Sequence, residues 1–298
     1  MIGVTFLGTS HAVPTKEKNQ TAILLRYESE NILIDCGEGT QRQFKIAGIS
    51  PTKITKILIS HWHGDHILGL PGLLQTLALS NYSKTLEIYG PRGTKEFMKL
   101  MLDMFIFREK IKVNVHEISE GVFFENKDFY LEAKKMKHPA PCLAYSFNEK
   151  KKFKIDISKL KKAGFKEGPW LKELQGGKDS KFEGKVISFK KYTKESPGKK
   201  VSFILDTAIN ENCSEIAKDA DLLISEACFL KSEEKFAEER DHLTSEQIAN
   251  VAKKSKVKKL ILTHISQRYD KKEKLVLDEA KKIFKNSELA KDFMKIVI

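Results

Sequence analysis

The 298 residues are 41% hydrophobic and 31% charged with only 17 Gly and 8 Pro, which supplies a full core and excludes a disordered, low-complexity or collagen-like chain. Fifty-three Lys+Arg against 40 Asp+Glu leave a net charge of +13, far enough from zero to point to a polyanionic partner. No apolar run approaches the ~20 residues that span a bilayer, and the first residues lack the charged start and cleavage site of a signal peptide, so a cytoplasmic protein is expected.

In chain order, 4–7, 21–27 and 31–35 are rich in β-branched and aliphatic residues and predict three strands separated by turns. The glycine-bearing turn Asp35-Cys36-Gly37-Glu38-Gly39-Thr40 precedes a helix predicted over 41–47, and 54–60 returns to a strand. That strand stops at His61-Trp62-His63-Gly64-Asp65-His66, after which the apolar 67–78 predicts a helix entered through its Gly and Pro residues. Alternation over 113–118 makes His116 a strand surface residue. Three later strands, over 201–205, 222–224 and 260–263, end at or near Asp206, Glu226 and His264. Strands alternating with helices predict an α/β fold, and its ionisable strand ends lie where an open α/β sheet presents chemistry. The length admits two domains or one large layered domain. Cys36, Cys142, Cys213 and Cys228 are widely separated with no CxxC pair, so they read as small buried residues.

The positive charge is unevenly spread. Residues 150–200 hold seventeen Lys and six acids, a local balance of +11. Lys runs, scattered Gly and the turn Gly168-Pro169-Trp170 read as an inserted basic arm on a single domain over 1–298. A solvated insertion is the plainer reading; Phe165, Trp170 and Phe182, interleaved with Lys as exposed aromatics, argue for a ligand.

His61, His63, Asp65 and His66 place four possible ligands within six residues at a turn, and imidazole plus carboxylate suits zinc and neighbouring divalent metals. The alternation lets His61 and His63 face one ion while Asp65 and His66 turn toward a second. Neither coordination sphere closes locally, and His138, Asp206 and His264 are the candidates to complete them.

These residues stand with Phe6-Leu7-Gly8-Thr9-Ser10, the turn continued as Thr40-Gln41-Arg42-Gln43, Ser225-Glu226-Ala227-Cys228-Phe229 and His264-Ile265-Ser266-Gln267-Arg268-Tyr269. With them the chain resembles the metallo-β-lactamase superfamily and, within it, the ribonuclease Z family of tRNA 3′-processing endonucleases, over nearly its whole length. The resemblance implies a four-layer αββα sandwich holding two Zn2+ per subunit. By it, His61, His63 and His138 bind one zinc, Asp65, His66 and His264 the other, and Asp206 bridges them. Asp65 would also act as general base, while Glu226 and His242 relay a proton to the departing 3′-oxygen. By the same resemblance, Lys16 and Lys18 would fall in a loop that approaches the tRNA 3′ end, with Lys18 where an Arg is more usual. Gly168 and Pro169 would fall at the tip of an exosite arm that, in such proteins, clamps the tRNA elbow. The implied protein is a homodimer that cuts precursor tRNA after the discriminator nucleotide, leaving a 3′-hydroxyl on the tRNA and a 5′-phosphate on the trailer. Neither a membrane nor DNA is an expected partner. Leu205 before Asp206 and Leu243 after His242 depart from the small residues common there.

Two other readings fit less of the chain. A hydrolase of the same fold could act on small phosphodiesters or thioesters. A non-catalytic RNA-binding module could retain a structural metal, but all seven ligand positions are filled.

Overall fold

Aliphatic strands buried on both faces need a layer on each side, and two sheets with outer helices provide it. A computed structural model describes residues 1–106 and 111–298. The first half forms β1 (Ile2–Gly8), β2 (Ala22–Tyr27), β3 (Glu30–Ile34), β4 (Lys56–Leu58), β5 (Thr85–Gly90) and β6 (Lys112–Glu117), followed by β7 (Gly121–Glu125), β8 (Phe129–Met136) and β9 (Cys142–Glu149). Four short strands follow, β10 (Lys152–Ile155), β11 (Ser180–Phe182), β12 (Lys185–Ile187) and β13 (Thr193–Ser196). The second half adds β14 (Lys200–Ile204), β15 (Leu222–Glu226), β16 (Leu260–Thr263), β17 (Ser287–Leu289) and β18 (Lys295–Val297).

Two seven-stranded sheets result, in the orders β18-β1-β2-β3-β4-β5-β6 and β17-β16-β15-β14-β9-β8-β7. β3 to β6 are parallel neighbours, as are β14 to β17. Helices Thr40–Ile46, Leu70–Leu79 and Thr94–Met104 carry Phe44, Leu73, Leu77 and Met98 into a cluster with Leu24, Leu33, Ile57 and Ile88 of the first sheet. Helices Glu211–Ala217, Ser245–Lys254 and Lys274–Ile283 do the same for Leu223, Leu260 and Leu262 of the second. The opposite faces meet: Tyr27 packs on Phe147 with ring centroids 5.1 Å apart, and the Tyr145 hydroxyl donates to Ile59 O at 2.6 Å. Among the described residues, no helix is long and apolar enough to cross a membrane.

The predicted strands at 4–7, 21–27, 31–35, 201–205, 222–224 and 260–263 correspond to β1, β2, β3, β14, β15 and β16, and His116 lies in β6 stacked on Tyr89. The strand expected over 54–60 contracts to Lys56–Leu58, because Pro51 opens a single 3-10 turn before it and Asp35 binds Ser60 after it. The helix expected over 67–78 is two pieces, Gly64–Ile67 and Leu70–Leu79, the second opening with Pro71 in its first turn. All four cysteines are buried and unbonded to one another.

The described residues fall into two compact units, one of Met1–Phe124, Leu131–Phe147 and Lys200–Ile298, the other of Glu125–Tyr130 and Asn148–Lys199. Within the second, β10 pairs with β13, and β11 with β12 through a two-residue turn whose Glu183 and Gly184 both have positive φ, the hairpin geometry that matches strand twist. Asp156 caps helix Ile157–Lys162 by accepting from Lys159 N. The expectation of exposed aromatics is corrected here. Phe165, Trp170 and Phe182 are half-buried and close a small core around Leu160, Leu174, Ile187 and Tyr192. A unit this small has few aliphatic side chains, so rings supply its buried area.

Candidate active site

The carboxyl ends of the parallel strands in both sheets carry the polar residues. β3 runs out at Asp35, β4 at His61, β14 at Asp206, β15 at Glu226 and β16 at His264. Past β4, His63 precedes the single turn Gly64–Ile67, which presents Asp65 and His66. Close approach requires glycine at Gly37, where an added Cβ would meet Asp65 O at 2.5 Å. Cys36 N donates to His66 O at 2.7 Å, pinning the same turn.

Two ligand groups form around one shared carboxylate. His61, His63, His138 and Asp206 make the first, and Asp65, His66, His264 and Asp206 the second, with the ligand atoms in each within 4.8 Å of one another. His63 Nδ1 lies 3.0 Å from His61 Nε2 and 3.1 Å from His138 Nε2. Asp65 Oδ2 lies 3.2 Å from His66 Nε2 and 3.3 Å from His264 Nε2. Asp206 faces both groups, Oδ2 at 3.7 Å from His61 Nε2 and Oδ1 at 3.3 Å from His264 Nδ1.

A cation fits this arrangement. Among the described residues, the buried atoms His66 Nε2, Asp206 Oδ1 and His264 Nδ1 make close contacts with one another's side chains or with Asp65 but no well-aligned hydrogen bond, and buried polar atoms left so are costly unless an ion or donor completes them. Burial, seconded by the neighbouring His66, holds the His61 pKa well below its ordinary value, and burial lowers that of His138. Burial would raise the carboxyls of Asp206 and Asp65, but His264 and His66 outweigh it and hold both pKa values below the usual carboxylate range. Neutral imidazole and ionised carboxylate are the forms that ligate metal. For His66 burial is outweighed by Asp206 and Asp35, which hold its pKa well above the ordinary value.

Several supporting residues escaped sequence reasoning. Asp35, fully buried with φ +54°, accepts from His66 Nδ1 and Ser60 Oγ at 2.6 Å and from Ser60 N at 2.7 Å, fixing the ring of His66. Its signal was its place in the Asp35-Cys36-Gly37 turn after a strand. Ser60 Oγ is also 3.0 Å from His61 Nδ1, and Asp241 O takes the outer nitrogen of His138 at 3.2 Å. Asp292 gathers Thr9, Asn19 and Gln43 beside the loop that carries His11.

These groups line a cavity of about 560 Å³ with His11, Phe229, Arg240, His242 and Arg268 on its wall. His242 Nδ1 lies 3.0 Å from Glu226 Oε2, and Glu226 Oε1 accepts from Thr207 N at 2.8 Å, so one buried carboxylate orients His242 and the loop bearing Asp206. Burial opposes protonation of His242, but Glu226 wins and pushes its pKa up to about 9. Burial raises the Glu226 carboxyl despite His242. His11 contributes a neutral ring, its pKa pushed down to about 3 by burial and by His264. Lys16 is exposed, whereas Lys18 is tied to Glu273 at 2.6 Å. Gly168 and Pro169 belong to the second unit.

Known proteins resemble this chain in sequence and fold. A family model described as anti-Pycsar protein Apyc1 matches residues 2–163 and stops before Asp206, Glu226, His242 and His264. Ribonuclease Z of Methanothermobacter thermautotrophicus is 40% identical over 300 residues, spanning 100% of this chain and 97% of its own. Human tRNase Z, short form, superposes with a TM-score of 0.70 at 29% identity, covering 99% of each chain. YhfI of Bacillus subtilis, a metallo-β-lactamase fold protein, does so at 0.71 and 19% identity, over 99% of this chain and 98% of its own. The two sheets and their outer helices are therefore the metallo-β-lactamase sandwich.

Proposed function

The chain belongs to the ribonuclease Z family, and from that premise we propose that it is an endoribonuclease that removes the 3′ trailer of precursor tRNA after the discriminator nucleotide. The observation that carries the reading is the pairing of two His/Asp groups through Asp206 with a His242–Glu226 dyad on the same cavity wall.

Two divalent ions, for which zinc suits the donor set, would be held by His61, His63 and His138 and by Asp65, His66 and His264 with Asp206 shared, and when bound would activate water and neutralise phosphate charge. Asp65 accepts a proton from the attacking water. As the new oxygen–phosphorus bond forms, the bond to the 3′-oxygen breaks, and His242 delivers a proton to that oxygen from Nε2 while Glu226 holds Nδ1. The products are a 3′-hydroxyl on the tRNA and a 5′-phosphate on the trailer. The Lys-rich Asn148–Lys199 unit grips tRNA phosphates and reads shape, not base sequence. The enzyme works in the cytoplasm as a homodimer on this reading.

End-labelled precursor tRNA, incubated with and without chelator and with Asp65→Ala in parallel, tests it. The expected result is a chelator-sensitive cut beside the discriminator, lost in the variant while tRNA binding persists. Intact RNA alongside hydrolysis of a small phosphodiester overturns the tRNA assignment, and normal turnover by Asp65→Ala overturns the mechanism.

A further inference from the structure

The chemistry above makes no use of His11, although its ring stands on the cavity wall with its centroid 4.8 Å from that of His264 and 5.6 Å from that of His242. The loop that carries it is held on both sides. His264 N donates to Thr9 O at 3.1 Å, Ser10 bridges both Gln20 and Ile265, and Gln20 Nε2 donates to Ala12 O at 2.8 Å. This fixed seat holds a ring with no partner of its own: among the described residues His11 makes no side-chain hydrogen bond, and its Nδ1 is buried. Packing alone would be better served by a phenyl or aliphatic side chain, which leaves no buried nitrogen unpaired. With no acceptor at Nδ1, the ring proton belongs on Nε2, and Nε2 is then a donor whether the ring is neutral or charged. His11 thus offers one N–H to whatever fills the cavity.

The surroundings of His242 select what that donor meets. Among the described residues four rings neighbour His242, those of His11, His138, Phe229 and His264. His138 commits Nδ1 to Asp241 O and turns Nε2 to His63. Both nitrogens of His264 face carboxylates, Nε2 toward Asp65 and Nδ1 toward Asp206, and Phe229 has no polar side-chain atom. His11 is therefore the one ring beside His242 with a nitrogen free for substrate. On the reading of the chain as a tRNA 3′ endonuclease, His242 protonates the departing 3′-oxygen, and the polar group next to that oxygen on the same ribose is the 2′-hydroxyl. Charged phosphate oxygens are better matched by Arg240, which lies over Phe236 on the same wall and has no carboxylate partner among the described residues. Resting on that reading, we infer that His11 Nε2 donates to the 2′-oxygen of the discriminator nucleotide and makes the enzyme favour ribose over deoxyribose there. The 2′-hydroxyl is the group by which a protein tells RNA from DNA at a given site.

Two precursor tRNAs that differ only at the discriminator, ribose in one and 2′-deoxyribose in the other, test this with the wild type, His11→Phe and His11→Gln. Phe keeps a ring against His264 and removes the donor, whereas Gln keeps an N–H. Rates are taken in single turnover with enzyme in excess, so that slow variants are still measured, and the readout is the ribose-to-deoxyribose ratio. Each ratio compares two RNAs on one preparation, so any metal or folded enzyme lost through the substitution cancels. The effect of the 2′-substituent on the leaving oxygen itself is common to all three proteins and cancels between them. The wild-type ratio is expected to exceed that of His11→Phe about fivefold, the coupling of one hydrogen bond removed from either side, with His11→Gln in between. If the wild type leaves the ribose RNA intact, the endonuclease reading fails and the role of His11 with it. If it cuts that RNA and the three ratios are equal, the endonuclease reading stands and the His11 contact is overturned.

Discussion

Replacing Asp35 by Asn isolates the contribution of a residue that touches neither ligand atoms nor substrate. Asn tolerates positive φ nearly as well as Asp, so the backbone at +54° stays in place. Asp35 accepts three hydrogen bonds, of 2.6, 2.6 and 2.7 Å, at two oxygens. An amide has one oxygen, so whichever way it turns, either the Ser60 N–H or the His66 ring loses its acceptor. Losing one charge-assisted bond costs ~1.5–3 kcal/mol, and weakened outer support of a ligand histidine costs about 10–100-fold in metal affinity, figures that agree at ~1.4–2.8 kcal/mol. Competition with a chromophoric chelator, with circular dichroism to check the fold, measures the change. Wild-type affinity in a folded Asp35→Asn protein would refute the assigned role.

Glycine at position 37 is set by the 2.5 Å approach to Asp65 O, so Gly37→Ala should lose metal content and activity together; full metal loading in that variant would falsify the packing argument. The His242–Glu226 pair should leave a pH signature. A folded pKa near 9 against an ordinary 6.5 means that the pair stabilises fully below about pH 6.5 and fades as pH rises through about 9. The Tm gap between wild type and His242→Gln should accordingly narrow from pH 6.5 to 10, and a constant gap would contradict the ion pair. Each of Lys162→Ala and Lys166→Ala should weaken tRNA binding alike for different tRNA sequences and reduce the log–log salt slope by ~0.7–0.9; sequence-dependent losses would count against a phosphate grip.

Legibility in the sequence followed local density. His61, His63, Asp65 and His66 are readable because four donors within six residues of one turn converge on a single chemistry, the binding of a cation. His138, Asp206 and His264 stand alone in sequence, and only their positions at strand ends and the family resemblance singled them out. Asp35 and Ser60 were invisible as a pair because their contact is made across two parallel strands. His11 has no ligand-spaced partner in the sequence and could be read only as lying near a substrate entrance; its place on the cavity wall is set when its loop folds against Asp292. In the Lys-rich segment, the count of charges was right and the exposure of the aromatics was wrong. Phe165, Trp170 and Phe182 look stranded among lysines in sequence, yet hairpin and helix turns bring them onto one another.

The pairing of β18 with β1 bears on synthesis of the chain. Gly3, Val4 and Thr5 pair with Val297, Ile296 and Lys295, and Phe6 N donates to Met294 O. β1 thus waits for a segment made almost three hundred residues later, and one of its edges stays open until then. His264 follows the same schedule, because its N–H seats on Thr9 O near the start of the chain. A nascent polypeptide on the ribosome can display the dense His61 turn early but cannot assemble the nuclease around it. Hydrolytic competence therefore waits on the segment that carries His264, and a nascent chain shorter than that holds an incomplete site.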